Sequence, residues 1–265
     1  MAQQPVVAPA ITTPTAHGND CHDAELAAAG GNPAATPTPH FQKVGWDERE
    51  QAKLQEARAH PPQIVFLGDS ITRNWDLNRP DALEKLKPIF DSFYGDRQPL
   101  NLGISADTTS NVLWRIEHGA FDGISPRLIV VLIGTNNTLR CKWTAAQTQG
   151  GIDKVVDELH TRVPQAKILL MGILPKQSTP EIQAEDREVN SYLAIRYGKS
   201  GSVTFVDAGY VFLKGGELDT SLFMDPILRP GAAAVHPTPQ GGKRMLQAIE
   251  PTVARLYGDK EKRVP

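Results

Sequence analysis

The stretch Ile64-Val-Phe-Leu-Gly-Asp-Ser-Ile-Thr72 limits what this chain can fold into more than any other. A short apolar run that stops at a turn signal suits a strand buried on both faces of a parallel sheet. The pattern returns at Pro99–Leu102, Leu128–Ile133, Lys167–Leu174 and Val203–Val206. Helical patterns separate these runs, at Trp46–Arg58, Thr108–His118, Thr144–Arg162, Pro180–Tyr197 and Gly241–Leu256. In Thr144–Arg162 the apolar residues Ile152, Val155, Val156 and Leu159 share one face at helical spacing. His60-Pro61-Pro62 closes the first helix, because a residue before proline avoids the α region. Helices alternating with buried strands predict an α/β fold, a doubly wound parallel five-stranded sheet in a three-layer αβα sandwich. No internal repeat and no second-domain boundary interrupts it.

Three segments follow. Residues 1–39 are rich in Pro, Ala and Thr without periodicity and read as a disordered tail, 40–258 as the folded domain, and 259–265 as a charged C-terminal tail. With 22% charged residues and a net charge of −2, the chain shows no basic stripe for a nucleic-acid partner. No apolar run is long enough to span a membrane. The chain carries no signal peptide as it stands, which read literally means cytoplasmic, yet the Ala-Gln-Gln-Pro opening looks like a mature exported protein, periplasmic or secreted. Cys21 and Cys141 are too few for a zinc site, and they pair as a disulfide only in an oxidising compartment. No metal or other cofactor is expected.

Chemistry-bearing residues collect where strands end. Gly68-Asp69-Ser70 follows the first run, Asn101-Leu-Gly103-Ile-Ser105 the second, and Gly134-Thr-Asn136-Asn137 the third, while His236-Pro237 leads into the last helix. In open α/β sheets ligands bind beyond the carboxyl ends of strands. Acyl transfer needs a nucleophile, a base and donors aimed at a developing oxyanion. Ser70 supplies the hydroxyl and His236 a ring that accepts protons near neutral pH. The Ser70 and Gly103 N–H groups and the Asn136 amide are candidate oxyanion donors. "Gly-Asp-Ser" also makes an ordinary turn or helix cap, so the motif needs its companions.

These blocks resemble the SGNH, or GDSL, hydrolases, with "NLGISADTTSNVLWRIEHG", "IVVLIGTNN" and "PQAKILLMGILP" similar to the platelet-activating-factor acetylhydrolase catalytic-subunit branch over about residues 40–256. The resemblance implies a flavodoxin-like fold and metal-independent hydrolysis of esters of lipids, saccharides or small molecules. It assigns Ser70 as nucleophile, His236 as base, Gly103 and Asn136 as further donors, and it makes a homodimer an expectation. One departure stands out. The family places an acid three residues before the histidine, where this chain has Ala233, and the nearest acid is Asp225. Either an insertion lets Asp225 reach His236, or the pair works as a dyad with a backbone carbonyl. Ala233 also feeds a different reading, a degenerate hydrolase fold that only binds.

Other polar residues read more plainly. Asp69 is a turn residue, Asp107 a helix cap, Asn137 a loop anchor and Asp207 a loop holder. His118 and His160 lie near helix ends, where a cation suits the dipole. His17, His22 and His40 belong to the tail region. Trp75 and Trp114 are core or pocket wall. No Gly-x-Gly-x-x-Gly follows the first run, which argues against a dinucleotide site.

Overall fold

The computed structural model describes residues 21, 31–40, 44–198 and 201–264. Five strands, β1 (Ile64–Gly68), β2 (Pro99–Gly103), β3 (Leu128–Leu132), β4 (Lys167–Met171) and β5 (Val203–Val206), form one sheet in the order β2-β1-β3-β4-β5. Every neighbouring pair is parallel. Helices α1 (Trp46–Ala59), α2 (Ser70–Arg73), α3 (Lys87–Tyr94), α4 (Thr109–Glu117), α5 (Thr135–Leu139), α6 (Ala145–Arg162), α7 (Pro180–Tyr197), α8 (Asp225–Leu228) and α9 (Pro239–Tyr257) complete the layers. A short hairpin of β6 (Leu213–Lys214) and β7 (Glu217–Leu218) lies apart from the main sheet.

Strand alternation builds the two cores. Val65, Leu67, Ile129 and Val131 face a cluster supplied by α1, α4, α6 and α7. Ile64, Phe66, Leu128, Val130 and Leu132 face the other, where Trp75, α3 and α9 pack. Both faces are covered at the sheet centre, so β1 and β3 read as continuous apolar runs, as the sequence predicts. Trp75 is core, stacked on Phe90 with ring centroids 5.8 Å apart. The chain passes from β1 to β2 on one side and then to β3 on the other. The crevice at this reversal lies at the carboxyl ends of β1, β2 and β3.

Both expected tails need correction where they are described; residues 1–20 and 22–30, with His17 and His22, lie outside the described residues. Residues 31–39 are ordered. Asn32 caps a 3-10 turn at Pro33–Ala35, and Thr38 exchanges hydrogen bonds with Ser110 and Asn111. Composition missed this because long-range bonds, not local propensity, order the segment. Asp259 likewise is no free tail residue. It pairs with the buried Arg97, whose guanidinium also makes two bonds to Glu250 at 2.7 and 2.9 Å. A buried guanidinium demands such partners, and the chain end supplies one of them.

Candidate active site

Two facing glycines set the position of Ser70, the candidate nucleophile. Gly68 and Gly103 are register partners at the ends of β1 and β2. A Cβ on Gly68 would meet the Leu132 carbonyl oxygen at 2.2 Å, and one on Gly103 would meet the Arg73 nitrogen at 2.2 Å. Only hydrogen at both positions lets α2 turn back across the sheet end with Ser70 at its head. Asn101 fastens this arrangement, its Nδ2 donating to the Thr72 carbonyl at 3.0 Å and its Oδ1 accepting the Gly103 N–H at 2.9 Å.

His236 and Asp225, the candidate base and acid, come from one folded-back loop. The Met224 N–H donates to the His236 carbonyl at 2.8 Å, the Thr238 N–H donates to the Leu222 carbonyl at 2.8 Å, and Phe223 bridges Pro237 antiparallel. This two-rung ladder brings residues eleven apart side by side. His236 Nε2 lies 2.9 Å from Ser70 Oγ, and Nδ1 lies 2.7 Å from Asp225 Oδ1. Asp225 Oδ2 accepts the Val235 and His236 N–H groups at 2.9 and 2.6 Å. Burial pushes the Asp225 carboxyl up, but hydrogen bonds from the His236 ring and backbone, its charge and the Val235 N–H outweigh that and hold it below the ordinary aspartate range. Ala233 is exposed on the intervening loop. Gln177 clamps that loop, donating its N–H to the Ala234 carbonyl at 2.8 Å and accepting the Ala234 N–H at 3.2 Å.

The candidate oxyanion donors differ in their engagements. The Ser70 N–H heads α2, where a helix N–H has no intrahelical acceptor. Asn136 follows β3 and gives one amide hydrogen to the Asp107 carbonyl at 2.9 Å, which leaves its second. The Gly103 N–H already serves Asn101.

Of the supporting residues, Asn137 anchors its loop as the sequence suggests, while the partners of the others carried no signal there. Thr108, not Asp107, caps α4. Asp107 is instead fully buried, takes the Arg115 guanidinium at 2.8 Å and the Trp46 indole N–H at 2.7 Å, and so fixes the carbonyl that holds Asn136. Arg115 reaches Glu50 at 2.8 Å and the Leu102 carbonyl at 2.7 Å as well. Asn137 is clasped to Thr109, with Nδ2 donating to Oγ1 at 2.7 Å and Oδ1 accepting the Thr109 N–H at 3.1 Å. Lys176 is buried against Asp186 and Thr138, next in chain to Gln177. Only contact across the fold reveals the roles of Asp107, Arg115 and Lys176.

Asp69 sits beside the nucleophile with no access to solvent. Its Oδ1 accepts the Ile71 N–H at 2.9 Å, while Oδ2 is buried and has no hydrogen-bond partner among the described residues. Burial raises this carboxyl to about 6, against the pull of the Ile71 N–H and of the His236 and Lys176 charges, with the Asp107 charge adding to the rise. His118 stacks on Trp114, His160 lies in the last turn of α6, and Asp207 accepts the Gly209 N–H, all apart from the Ser70–His236–Asp225 chain of bonds. Among the described residues, no three His, Cys, Asp or Glu side chains group as metal ligands, and no helix is long and apolar enough to cross a membrane.

Comparison with known proteins agrees with this frame. Residues 66–244 match the model of the GDSL-like lipase/acylhydrolase family. Platelet-activating factor acetylhydrolase IB subunit alpha2 of Homo sapiens is 32% identical over 190 residues, 69% of this chain and 78% of that protein. The alpha1 subunit of Rattus norvegicus is 31% identical over 196 residues, 72% and 79% of the two chains. Among solved structures, a GDSL-like lipase from Bacteroides thetaiotaomicron shares the fold with a TM-score of 0.58 at 20% identity, over 78% of this chain and 97% of that one. A carbohydrate acetylesterase family member from Sinorhizobium meliloti aligns with a TM-score of 0.54 at 17% identity, over 74% and 99%. A hydrolase sheet that ends in Gly-Asp-Ser, and relatives alike over most of their length, lead to one conclusion: the chain belongs to the GDSL-like lipase/acylhydrolase family.

Proposed function

We propose that this protein is a serine esterase that removes a short acyl group, acetyl foremost, from a saccharide, lipid or small-molecule ester through an acyl-enzyme. The observation that carries the reading is the continuous chain of hydrogen bonds from Ser70 Oγ through His236 to the buried Asp225. Relatives named acetylhydrolases support the acetyl preference.

The geometry suits a two-stage displacement. Ser70 Oγ attacks the ester carbonyl carbon as His236 Nε2 takes the hydroxyl proton. Asp225 holds the Nδ1–H tautomer and stabilises the imidazolium without accepting the proton. The Ser70 N–H and the second hydrogen of Asn136 Nδ2 meet the oxyanion, and the Gly103 N–H joins by sharing its hydrogen with Asn101. The carbonyl–alkoxy bond then breaks and His236 returns its proton to the departing alcohol. Water, deprotonated by the same ring, attacks the acyl-enzyme and releases the acid and free Ser70. The contact of Asp225 with His236 supports turnover over a binder, because it offers the ring an acid that Ala233 cannot supply.

The test is a panel of p-nitrophenyl esters from acetate to octanoate, with acetylated sugars alongside. Highest kcat/KM on acetate, unaffected by EDTA, is expected. No turnover on any ester would overturn the reading, and restoration by zinc after EDTA would overturn its metal independence. The Cys21–Cys141 disulfide supports a periplasmic or secreted setting. Two free thiols in protein isolated without reductant from its native compartment would contradict that.

A further inference from the structure

The family match begins at residue 66, yet Cys21 and the segment 31–40 pack against the site's shoulder. Two fixed points tie this N-terminal strap down. Cys21 is bonded to Cys141, with Cα atoms 5.2 Å apart, and both are buried with Ala34 and Trp143. The carbonyl of Ala34, itself fully buried, accepts the Thr109 hydroxyl at 2.6 Å. Asn32 adds a bond from Nδ2 to the Gln147 carbonyl at 2.9 Å.

Both fixed points bear on the residues around Asn136. The Cys141 and Arg140 N–H groups each donate to the Asn136 carbonyl at 3.0 Å, and the Trp143 N–H donates to the Asn137 carbonyl at 2.9 Å. Thr109, hung on Ala34, grips the Asn137 side chain through both its hydroxyl and its N–H. The strap therefore holds the loop after β3 from one side through sulfur and from the other through a hydroxyl. Asn136 stands between, with its amide pinned to Asp107.

We propose that this strap is a positioning element for Asn136, acting through Cys141 and Thr109, and that opening the Cys21–Cys141 bridge lowers turnover through that one amide. The proposal rests on the oxyanion role given to Asn136 above. A dithiol reductant such as dithiothreitol opens the bridge by passing two electrons and two protons to its sulfurs. Two thiols form and the reductant closes to its own cyclic disulfide. An oxyanion donor acts in the transition state, so its misplacement lowers kcat and leaves KM nearly unchanged.

The experiment is a double-mutant cycle on p-nitrophenyl acetate hydrolysis. Cys21→Ser with Cys141→Ser is made in the wild-type background and in Asn136→Ala, and reduced wild type is assayed after desalting away the reductant without air. The expected result is a fall in kcat of about 5–20-fold in the wild-type background and less than about 2-fold with Asn136→Ala, the signature of coupled residues. Equal losses in both backgrounds, or none in either, would overturn the proposal. Thr109→Val, which keeps shape and loses the hydroxyl, runs the same cycle should the bridge-less protein not fold. The Asn136 side-chain amide resonances give a readout independent of turnover. Movement on reduction supports the strap's hold even if no ester is cleaved, and unchanged resonances contradict it.

Discussion

The candidate site has two arms built on different principles. The sheet arm, with Ser70 as the proposed nucleophile beside Gly103 and Asn136, grows from the ends of three neighbouring strands and inherits its position from sheet register. The loop arm, with Asp225 and His236 as the proposed acid and base, hangs on a loop that two backbone hydrogen bonds fold back on itself. The carboxylates beside each arm show what this costs and gains. Asp69 on the sheet arm has one hydrogen bond and a buried, unpartnered oxygen, so its carboxyl is pushed up to about 6. Asp225 on the loop arm receives the ring and two backbone N–H groups, and its carboxyl is held down. A sheet end aims a residue rigidly but has few donors to spare. A loop can wrap its own N–H groups around an anion.

The largest effect should come from the sheet arm. Ser70→Ala is expected to lower kcat on p-nitrophenyl acetate by more than about 10³-fold with an unchanged melting temperature. Turnover above roughly 1% of wild type would take Ser70 out of the mechanism. Next comes the loop arm, where Asp225→Asn should cost about 10²–10⁴-fold in kcat, because the ring loses its charge partner and the tautomer that the carboxylate selects. A loss within about threefold would reduce the arm to His236 alone. Asn136→Ala is expected to cost about 10²–10³-fold in kcat with KM little moved. A rise in KM alone would make Asn136 a substrate contact rather than an oxyanion donor.

The two carboxylates also separate the arms by pH. A carboxyl raised in the folded state contributes stability that is full below its unfolded value and lost as pH rises through the folded one. For Asp69 that window runs from 3.8 to about 6. Asp69→Asn should remove that loss, amounting to a few kcal/mol on the order of two pH units. Denaturant melts of variant and wild type at pH 4 and pH 7 check it, and parallel pH curves would contradict it. Asp225 has the opposite sign. Its depressed value stabilises the fold above the ordinary aspartate range and fails as pH falls through its folded value. The smallest effect belongs to the loop's clamp. Gln177→Ala should lower kcat by less than about tenfold, since the ladder to Leu222 and Met224 survives, and a loss rivalling Asp225→Asn would make the clamp part of the arm itself.

The arms also differ in how far the sequence discloses them. All five strands are legible because β1 and β3, buried throughout, must be apolar and the other three keep mostly apolar runs, and the glycine, serine and asparagine positions follow from where those runs stop. The fourth run reads too long because Ile173 and Leu174 are buried after the strand has ended at Met171. Helix α3 goes unread, though Phe90, Phe93 and Tyr94 line its buried face. On the loop arm only identities are legible. That Asp225 reaches His236 depends on long-range hydrogen bonds that leave no local pattern, and the same holds for the strap and for Arg115 with Glu50 and Asp107. Periodicity records burial against a layer, whereas polar contacts between distant segments have no period.

The proposed mechanism has Ser70, activated through His236 and Asp225, take the acyl load. Diisopropyl fluorophosphate tests this most directly, because phosphorus loses fluoride and bonds to an activated serine oxygen. Intact mass and peptide mapping, followed alongside residual esterase activity, should find one adduct on Ser70 that rises as activity falls, with labelling slowed in Asp225→Asn. Inactivation with Ser70 unmodified, or full labelling of Ser70 with activity retained, would show that another group takes the acyl load.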